Sequence, residues 1–283
     1  MINNTQYPFR HGVALRDFIK EPLQVLSMGG GTQSTAMLLL VKEGKLCAPD
    51  IVLHADTGSE LPETVDFIGN KIELLCAELN IPFAIVKSHR GNLHDYYMSK
   101  RALPMIGTRS CTMDFKIAPQ RRFVREIVGS GNGKKLCDFW LGITTDEEGR
   151  SLIKKKSDPN FGKRRLVSDV KWSGVKYPLL DEFPMSREEC ISLNTLMDFE
   201  VGKSGCFMCP YMGVKSHLNV KQKYPQLFRI SLEMESLQRA RRTEEGKSLG
   251  WGLCKESSLF DIDNLPSSQL EDSNCDNDGG CFL

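Results

Sequence analysis

A glycine-rich run, SMGGGTQST at residues 27–35, directly follows the apolar segment 23–26 and precedes the helical pattern AMLLLVKEG. Glycines let the backbone turn tightly and present bare N–H groups to an anion. A helix that begins near Gln33 directs the positive end of its dipole to the same place, and hydroxyl side chains add donors. The run predicts a phosphate-binding loop, the alternative being an ordinary strand-to-helix turn. The candidate phosphate ligands are Ser27, Gly29, Gly30, Gly31, Thr32 and Ser34.

A second polar segment, Asp56-Thr57-Gly58, ends a strand pattern within DIVLHADTGSELPET, and Pro62 opens the following helix. A carboxylate at a strand end can bind Mg²⁺ or the ribose of a nucleotide. Asp at a strand-to-helix turn also commonly caps the helix. The residues alone leave both interpretations of Asp56 open.

Cys206 and Cys209 form a Cys-x-x-Cys-Pro turn between Gly205 and Gly213. Thiolates at this spacing reach one metal ion or cluster, and proline after a ligand cysteine is typical of ferredoxin-like sites. The pair supplies half of a ligand shell. An iron–sulfur cluster, structural zinc, and free thiols or a redox disulfide are the alternatives. Five other cysteines lie in contexts that predict buried small hydrophobic residues: Cys47, Cys76, Cys137, Cys190 and Cys254.

Composition excludes some classes of protein. The 283 residues carry a formal net charge of +1, so no global field directs the chain to nucleic acid or membranes. No apolar run approaches the roughly 20 residues that span a bilayer. The N-terminus lacks the apolar core of a secretory signal, so the 10 cysteines predict reduced thiols and metal ligands. We expect a cytoplasmic protein without a membrane partner.

These candidate residues must be positioned by the elements around them. The patterns VLSM, IVLHAD, FAIVKS and FWLGIT predict strands, and amphipathic helical patterns separate them. This alternation predicts an α/β fold with a doubly wound parallel sheet and helices on both faces. Ligands of such sheets bind beyond the carboxyl ends of the strands, where the glycine run and Asp56 both fall.

The rest of the chain predicts less regular structure at first and then helices. The basic segment 151–176 predicts an irregular loop over the active face. Six of its positive charges, Lys154–Lys156 with Lys163, Arg164 and Arg165, guide a polyanion or clamp nucleotide phosphates. After Pro184, a capping-box pattern opens a helix, and a later helix is interrupted at Pro225. We therefore divide the chain into an N-terminal extension (1–22), a nucleotide-binding α/β domain (23–184) and a helical cysteine-containing region (185–283).

The glycine and DTGSELPET motifs, with CTMDFKIAP (111–119), WLGITTDEEGR (140–150) and KYPLLDE (176–182), resemble the PP-loop ATP pyrophosphatase superfamily. Within it, the chain is similar to the phosphoadenylylsulfate (PAPS) reductase-like branch, near stand-alone phage and mobile-element members and DNA phosphorothioation sulfurtransferases. The resemblance implies an adenine nucleotide α-hydrolase fold with a helical, cysteine-bearing C-terminal appendage. Two departures stand out: Gln33 replaces the usual Asp of the loop, and the Glu-Cys-Gly-x-His tail of PAPS reductases is absent.

The resemblance also implies roles for individual residues. ATP with Mg²⁺ would bind the glycine run, and Asp56, with Thr57 and Gly58 beside it, would face the nucleotide. Cys111 would be the third metal ligand, most simply of a 4Fe-4S cluster with Zn²⁺ as the alternative. Lys116 would lie near the cluster and an anionic substrate, so Lys116 and Asp56 are the catalytic candidates. The fourth metal ligand is Cys281, Cys275 or none.

Three functions follow as hypotheses. The first is ATP-dependent adenylation of a nucleic-acid substrate, either tRNA or DNA, with sulfur transfer to the activated atom. The second is reduction of a sulfonucleotide such as PAPS or adenylylsulfate, and the third is a non-catalytic nucleotide-binding interaction module. We also expect a partner protein that supplies sulfur or electrons, and a homo-oligomeric state.

Overall fold

The structure, a computed structural model, describes residues 22–129, 134–153, 156–163, 165, 170–202, 204–249, 252–254 and 257–265. Its centre is a five-stranded sheet in the order β3-β2-β1-β4-β5, and every neighbouring pair is parallel. The strands are β1 (Leu23–Met28), β2 (Ile51–Asp56), β3 (Phe83–Lys87), β4 (Cys137–Trp140) and β5 (Ser173–Lys176).

Helices connect these strands and cover both faces of the sheet. The first half of the chain holds α1 (Thr32–Lys42), α2 (Pro62–Phe67), α3 (Glu73–Glu78), α4 (Leu93–Ser99), α5 (Ser110–Thr112) and α6 (Ala118–Val128). The second half holds α7 (Pro178–Asp181), α8 (Arg187–Leu196), α9 (Val214–Lys223), α10 (Pro225–Glu244) and α11 (Leu259–Asp263). Two π-helical segments, Ile68–Ile72 and Met113–Ile117, join α2 to α3 and α5 to α6, and a 3₁₀ helix spans Thr145–Arg150.

Alternating side chains of β1 show how the sheet is buried on both sides. Leu26 and Met28 pack with α1 and with Cys190 of α8 on one face. Leu23 and Val25 pack with Val124 of α6 on the other face. Because both faces are covered, the central strands are apolar almost throughout. The doubly wound α/β fold expected from the sequence is confirmed.

The sequence interpretation was wrong in two details of the sheet. β4 ends at Trp140, whereas the apolar pattern had suggested a strand running on to Thr144. The segment 151–176, expected to be irregular throughout, ends in β5, which pairs with β4. Ser-Gly-Val-Lys carries little strand signal of its own, and the pairing with β4 stabilises this conformation.

The helical cysteine-bearing elements form a further layer beside the sheet. The turn that holds Cys206 and Cys209 is buried with residues of α4, α9, α10 and α11 in one apolar cluster. At the edge of this cluster, the fully buried carboxylate of Glu235 accepts hydrogen bonds from the N–H groups of Leu253 (3.3 Å) and Leu259 (3.2 Å). It also forms an ion pair with Arg239 (2.9 Å). This carboxylate joins the segments around Leu253 and Leu259 to α10.

Two local sequence signals are confirmed in this region. Ser186 and Glu189 form the capping box at the start of α8, each side chain bonding the other's backbone N–H. Pro225 separates α9 from α10. Among the described residues, no helix combines the length and apolarity needed to cross a membrane.

Candidate functional site: a nucleotide cleft beside a cysteine cavity

The glycine run forms the turn from β1 into α1 at the carboxyl edge of the sheet. Gly31 is the N-cap residue of α1, and no acidic residue occupies the first turn of this helix. The hydroxyls of Ser34 and Thr35 donate to the Gly31 carbonyl at 3.1 and 3.0 Å, which fixes the loop against the helix. The N–H groups in the first turn of α1 have no acceptor within the helix, and they lie at its positive end. Together they make the start of α1 a candidate anion site.

A small pocket lies directly over this loop. Its walls combine the loop with residues from three distant parts of the chain: Ser27, Gly29, Gly31, Gln33, Ser34, Lys116, Leu141, Gly142, Ile143, Arg150 and Ser204. Lys116 and Arg150 bring positive side chains to a site that already presents N–H groups, and Arg150 is itself paired with Glu147 at 2.9 Å. The arrangement suits a phosphate or pyrophosphate.

The end of β4 closes one side of the loop through a glycine. A Cβ atom at Gly142 would lie 2.8 Å from the Gln33 Cβ and 3.2 Å from the Ser34 backbone nitrogen. Only a residue without a side chain allows this approach. Gly142 therefore sets the width of the loop pocket.

The predicted loop residues divide between two pockets. Ser27, Gly29, Gly31 and Ser34 line the loop pocket, whereas Gly30 lines a second pocket beside α2. Thr32 begins α1, and its carbonyl accepts the side-chain amide of Asn194 at 3.0 Å.

Asp56, Thr57 and Gly58 lie beyond β2 and do not line the loop pocket. Asp56 Oδ1 accepts the Gly58 N–H at 2.7 Å, and Asp56 Oδ2 pairs with Lys87 Nζ at 2.7 Å. Burial works to raise the pKa of Asp56, but the hydrogen bonds from Lys87 and Gly58 outweigh it and lower the pKa. The carboxylate is therefore kept ionised at the edge of the sheet.

Thr57 faces the cysteines instead. Its hydroxyl donates to Glu60 Oε1 at 2.7 Å and lies 3.3 Å from Cys206 Sγ. Gly58 has φ of +68°, and a Cβ atom there would lie 2.2 Å from the Asn92 side chain. This turn positions the cysteine layer against β2.

Three of the predicted metal ligands line one cavity. Cys111, Cys206 and Cys209 surround it together with Thr57, Lys116 and residues of the turns nearby. Lys116 belongs to the π-helical segment after Cys111, and it lines both this cavity and the loop pocket. One lysine therefore forms part of the wall of both sites.

The donor types in the cysteine cavity fit an iron–sulfur cluster or zinc, because both take thiolates. The residues that the structure describes hold no group of three Cys, His, Asp or Glu side chains arranged to bind a metal ion. Cys275 and Cys281, the candidates for the fourth ligand, lie outside the described residues. Of the other cysteines, Cys76, Cys137, Cys190 and Cys254 are buried, as expected. The expectation was wrong for Cys47, which is exposed.

A larger cleft of about 520 Å³ continues from the loop pocket across β4 and β5. The two share Ser27, Leu141, Ile143 and Arg150. Four arginines from separate segments line the cleft: Arg109, Arg121, Arg150 and Arg165. Phe139, Val175 and Tyr177 provide apolar walls. We name this region the arginine cleft; its volume is in the range of small-molecule sites, and its charge suits an anionic ligand that carries a ring.

Several site residues were not singled out from the sequence. Arg150 and Gly142 lie within the motif 140–150, but their roles depend on the fold of that segment. Ser204 approaches the loop so closely that a Cβ atom at Gly31 would lie 2.7 Å from its hydroxyl. Arg109 has φ of +48°, a strained conformation that is often found at functional sites. No local sequence pattern predicts these contacts.

The strand-end histidine His54 is held within the fold. Its Nδ1 lies 2.9 Å from the Met28 carbonyl and the residue is buried. Burial lowers the pKa of His54 below the usual value, so the imidazole is neutral at physiological pH.

Sequence comparison finds distant relatives, whereas no family model matches the chain. The uncharacterized protein MJ0973 of Methanocaldococcus jannaschii is 22% identical over 205 residues, covering 71% of this chain and 45% of its own length. The uncharacterized protein MJ0066 of the same organism is 24% identical over 218 residues, covering 74% and 40%. The chain therefore spans less than half the length of these curated relatives.

Two solved structures are similar to parts of the chain. One is the PAPS reductase from Candida auris in a phosphate complex, 12% identical with a TM-score of 0.42, covering 67% of this chain and 80% of that one. The other is the U34-tRNA thiolase NcsA from Methanococcus maripaludis with its 4Fe-4S cluster, 17% identical with a TM-score of 0.39, covering 83% and 77%. The parallel sheet described above establishes the α/β fold independently of these similarities.

Proposed function

We propose that the protein binds ATP over the glycine loop and transfers AMP to an oxygen of a nucleic-acid substrate, with release of pyrophosphate. Sulfide then displaces AMP, which leaves with that oxygen, so that sulfur takes its place. The observation that carries this proposal is the position of Lys116, which lines both the loop pocket and the cysteine cavity. A nucleotide site and a thiol site that share a wall suit a reaction that uses both.

The loop pocket would bind the pyrophosphate part of ATP. Backbone N–H groups at the start of α1, with Lys116 and Arg150, stabilise negative charge that grows as pyrophosphate leaves. These donors are fixed before the reaction, because Ser34 and Thr35 already hold the loop to α1. The chain's own contribution to adenylation is then orientation and charge stabilisation.

The arginine cleft would bind the substrate. Its four arginines suit phosphate groups, and Phe139 and Tyr177 offer surfaces on which a base or ribose can pack. Because the cleft shares Ser27 and Arg150 with the loop pocket, a substrate oxygen placed there is adjacent to the nucleotide phosphates. We propose tRNA or DNA as the substrate class.

Two cofactors accompany the proposal. Mg²⁺ bound by the ATP phosphates would neutralise charge, and Asp56 is the strand-end carboxylate that we propose for it, after release from Lys87. An iron–sulfur cluster, or zinc as the alternative, would be held by Cys111, Cys206 and Cys209 with Cys281 as the proposed fourth ligand. When bound, a cluster would supply a soft, sulfur-binding centre beside Lys116.

The test is to separate adenylation from sulfur transfer on protein purified without oxygen. ATP-dependent pyrophosphate release is measured with total tRNA and with plasmid DNA. Sulfur is then detected by retardation of tRNA in mercury-containing gels and by iodine cleavage of DNA. Lys116→Ala should reduce pyrophosphate release by about 100-fold, the scale typical of a removed transition-state contact. Lys42→Ala is the matched control, since Lys42 pairs with Glu78 on the surface.

Cys206→Ser should retain pyrophosphate release and lose sulfur incorporation. Wild-type protein that releases no pyrophosphate with either nucleic acid would contradict the proposal. A Lys116→Ala variant as active as Lys42→Ala would contradict the role given to the shared wall.

A second candidate, sulfonucleotide reduction, is favoured by one observation. The arginine cleft has enough positive charge for the phosphate and sulfate groups of PAPS or adenylylsulfate. Sulfite release from these compounds with thioredoxin as reductant, without added ATP, would support this function over the first.

A further inference from the structure

A second pocket also reaches the cysteine turn, and it is distinct from the loop pocket and the arginine cleft. It encloses about 250 Å³ between α2 and α9, and Cys206 and Cys209 line it as well as the cysteine cavity. We name it the α2–α9 pocket. Four residues of α9 face it at helical spacing, Ser216, Asn219, Val220 and Lys223, opposite Glu63, Thr64 and Phe67 of α2.

Opposite charges stand at the rim of this pocket. Lys223 Nζ lies 3.8 Å from Glu63 Oε1, and the two side chains are 57% and 47% exposed. This separation is longer than a direct hydrogen bond, and exposed pairs of this kind contribute little stability. The Glu63 carboxylate is also hydrogen-bonded to the Tyr224 side chain. A ligand that brings its own ammonium and carboxylate can replace the contact with Lys223 at small cost and leave that hydrogen bond in place.

The floor of the pocket has a different chemistry. Cys206 and Cys209 lie there with Ser204, and Leu61 and Met212 provide apolar contacts. A sulfur atom is polarizable and packs favourably in such surroundings. Placed on this floor, it would be adjacent to the two cysteines that we propose as metal ligands.

We propose that the α2–α9 pocket binds a low-molecular-weight aminothiol, with its ammonium and carboxylate at Glu63 and Lys223 and its thiol toward Cys206 and Cys209. The pocket lies just below the usual size range of small-molecule sites, which suits a ligand of amino-acid size. The proposal rests on the sulfur-transfer function proposed above. It supplies the cysteine cavity with a sulfur compound that enters without passing through the loop pocket or the arginine cleft.

Titration calorimetry of the full chain under anaerobic conditions tests the ligand chemistry with three probes. L-cysteine carries the thiol and both charges, L-serine lacks the thiol, and 2-mercaptoethanol lacks the charged groups. L-cysteine should bind at least tenfold more tightly than either of the others. Equal affinity for L-cysteine and L-serine, or for L-cysteine and 2-mercaptoethanol, would overturn the proposal, as would absence of L-cysteine binding.

Two variants with matched controls test the location. Asn219→Trp fills the mouth of the pocket and should weaken L-cysteine binding at least tenfold, whereas Gln222→Trp, exposed on the same helix outside the pocket lining, should not. Lys223→Glu reverses a rim charge without filling space and should weaken binding similarly, with Gln222→Glu as its control. Unchanged binding in both pocket variants would overturn the assignment.

ATP binding and pyrophosphate release, measured in the same variants, separate the two proposals. Normal pyrophosphate release with no preference for L-cysteine would overturn the pocket assignment alone. Selective L-cysteine binding in a protein that never releases pyrophosphate would support the pocket assignment and contradict the proposed function.

Discussion

Glu60 and Cys206 face each other in an antiparallel β-bridge, although they lie 146 residues apart in the chain. Leu61 N–H donates to the Gly205 carbonyl at 3.0 Å, and Phe207 N–H donates to the Ser59 carbonyl at 3.0 Å. The cysteine turn is thus fixed to the segment that follows β2. The backbone, rather than any single side chain, determines where its thiols lie.

The first prediction concerns metal content. Because Cys206 is proposed as a ligand and its backbone is held by the bridge, Cys206→Ser should remove a donor without displacing the turn. We expect this variant to lose most of its iron and acid-labile sulfide, or its zinc, when purified without oxygen. Elemental and sulfide analysis with a visible spectrum measures this, and exposed Cys47→Ser is the control. Equal metal content in the two variants, or none in the wild type, would contradict the proposed site.

The second prediction concerns the width of the loop pocket. Gly142→Ala introduces a Cβ atom 2.8 Å from the Gln33 Cβ, so β4 or the loop must shift. Calorimetric titration should show ATP–Mg²⁺ binding weakened by about tenfold, or ~1.4 kcal/mol. Gly149→Ala is the matched control, because no atom lies within 4 Å of its added carbon. Equal affinity in the two variants would show that the loop tolerates movement.

The third prediction concerns Gln33, the second residue of α1. Gln33 is buried, and its Nε2 donates to Glu147 Oε2 at 3.4 Å. Gln33→Asp would place a second carboxylate beside Glu147, so we expect it to be less stable than the equally short Gln33→Asn by about 1 kcal/mol. Urea unfolding measures the difference, and adding Glu147→Gln should remove it. A difference that persists in the Glu147→Gln background would exclude charge repulsion as the cause.

The fourth prediction concerns pH. Burial lowers the pKa of His54 in the folded chain, so below pH 6.5 the unfolded chain binds more protons. The contribution of His54 to stability is complete above pH 6.5 and decreases as the pH falls toward the lowered pKa. The urea midpoint should therefore decrease as the pH is lowered from 7.5 to 5.5. The decrease should be smaller in His54→Asn, a variant that retains a donor for the Met28 carbonyl. His89→Asn should behave as wild type, and identical pH profiles for all three proteins would contradict this account.

Local sequence signals were sufficient for much of the sheet and the loop. The apolar runs of β1 and β2 form buried strands, the run of β3 forms a partly buried edge strand, and the glycine run forms the turn from β1 into α1. β5 was missed because four residues with a glycine and a lysine carry no period of their own. Its strand conformation comes from pairing with β4, which is a tertiary interaction.

The candidate site was predictable in its residue types and less so in its arrangement. Lys116 was expected near a cluster and an anion, but its place in two pockets requires the π-helical segment that carries it. Arg150, at the end of the 3₁₀ helix, and Arg165 line the arginine cleft, and Ser204 lines the loop pocket, although these residues are far apart in the chain. The spacing of residues along the sequence does not show which of them line the same pocket.

The buried carboxylate of Glu235 also bears on the order in which the molecule is assembled. The ribosome delivers α10 before residues 253 and 259, so for a time this carboxylate has Arg239 as a partner and lacks the two N–H groups that later satisfy it. An incompletely satisfied charge is costly to bury, which opposes early closure of the cluster around the cysteine turn. Complete satisfaction of this buried charge therefore depends on Leu253 and Leu259, which are synthesised after Cys111, Cys206 and Cys209.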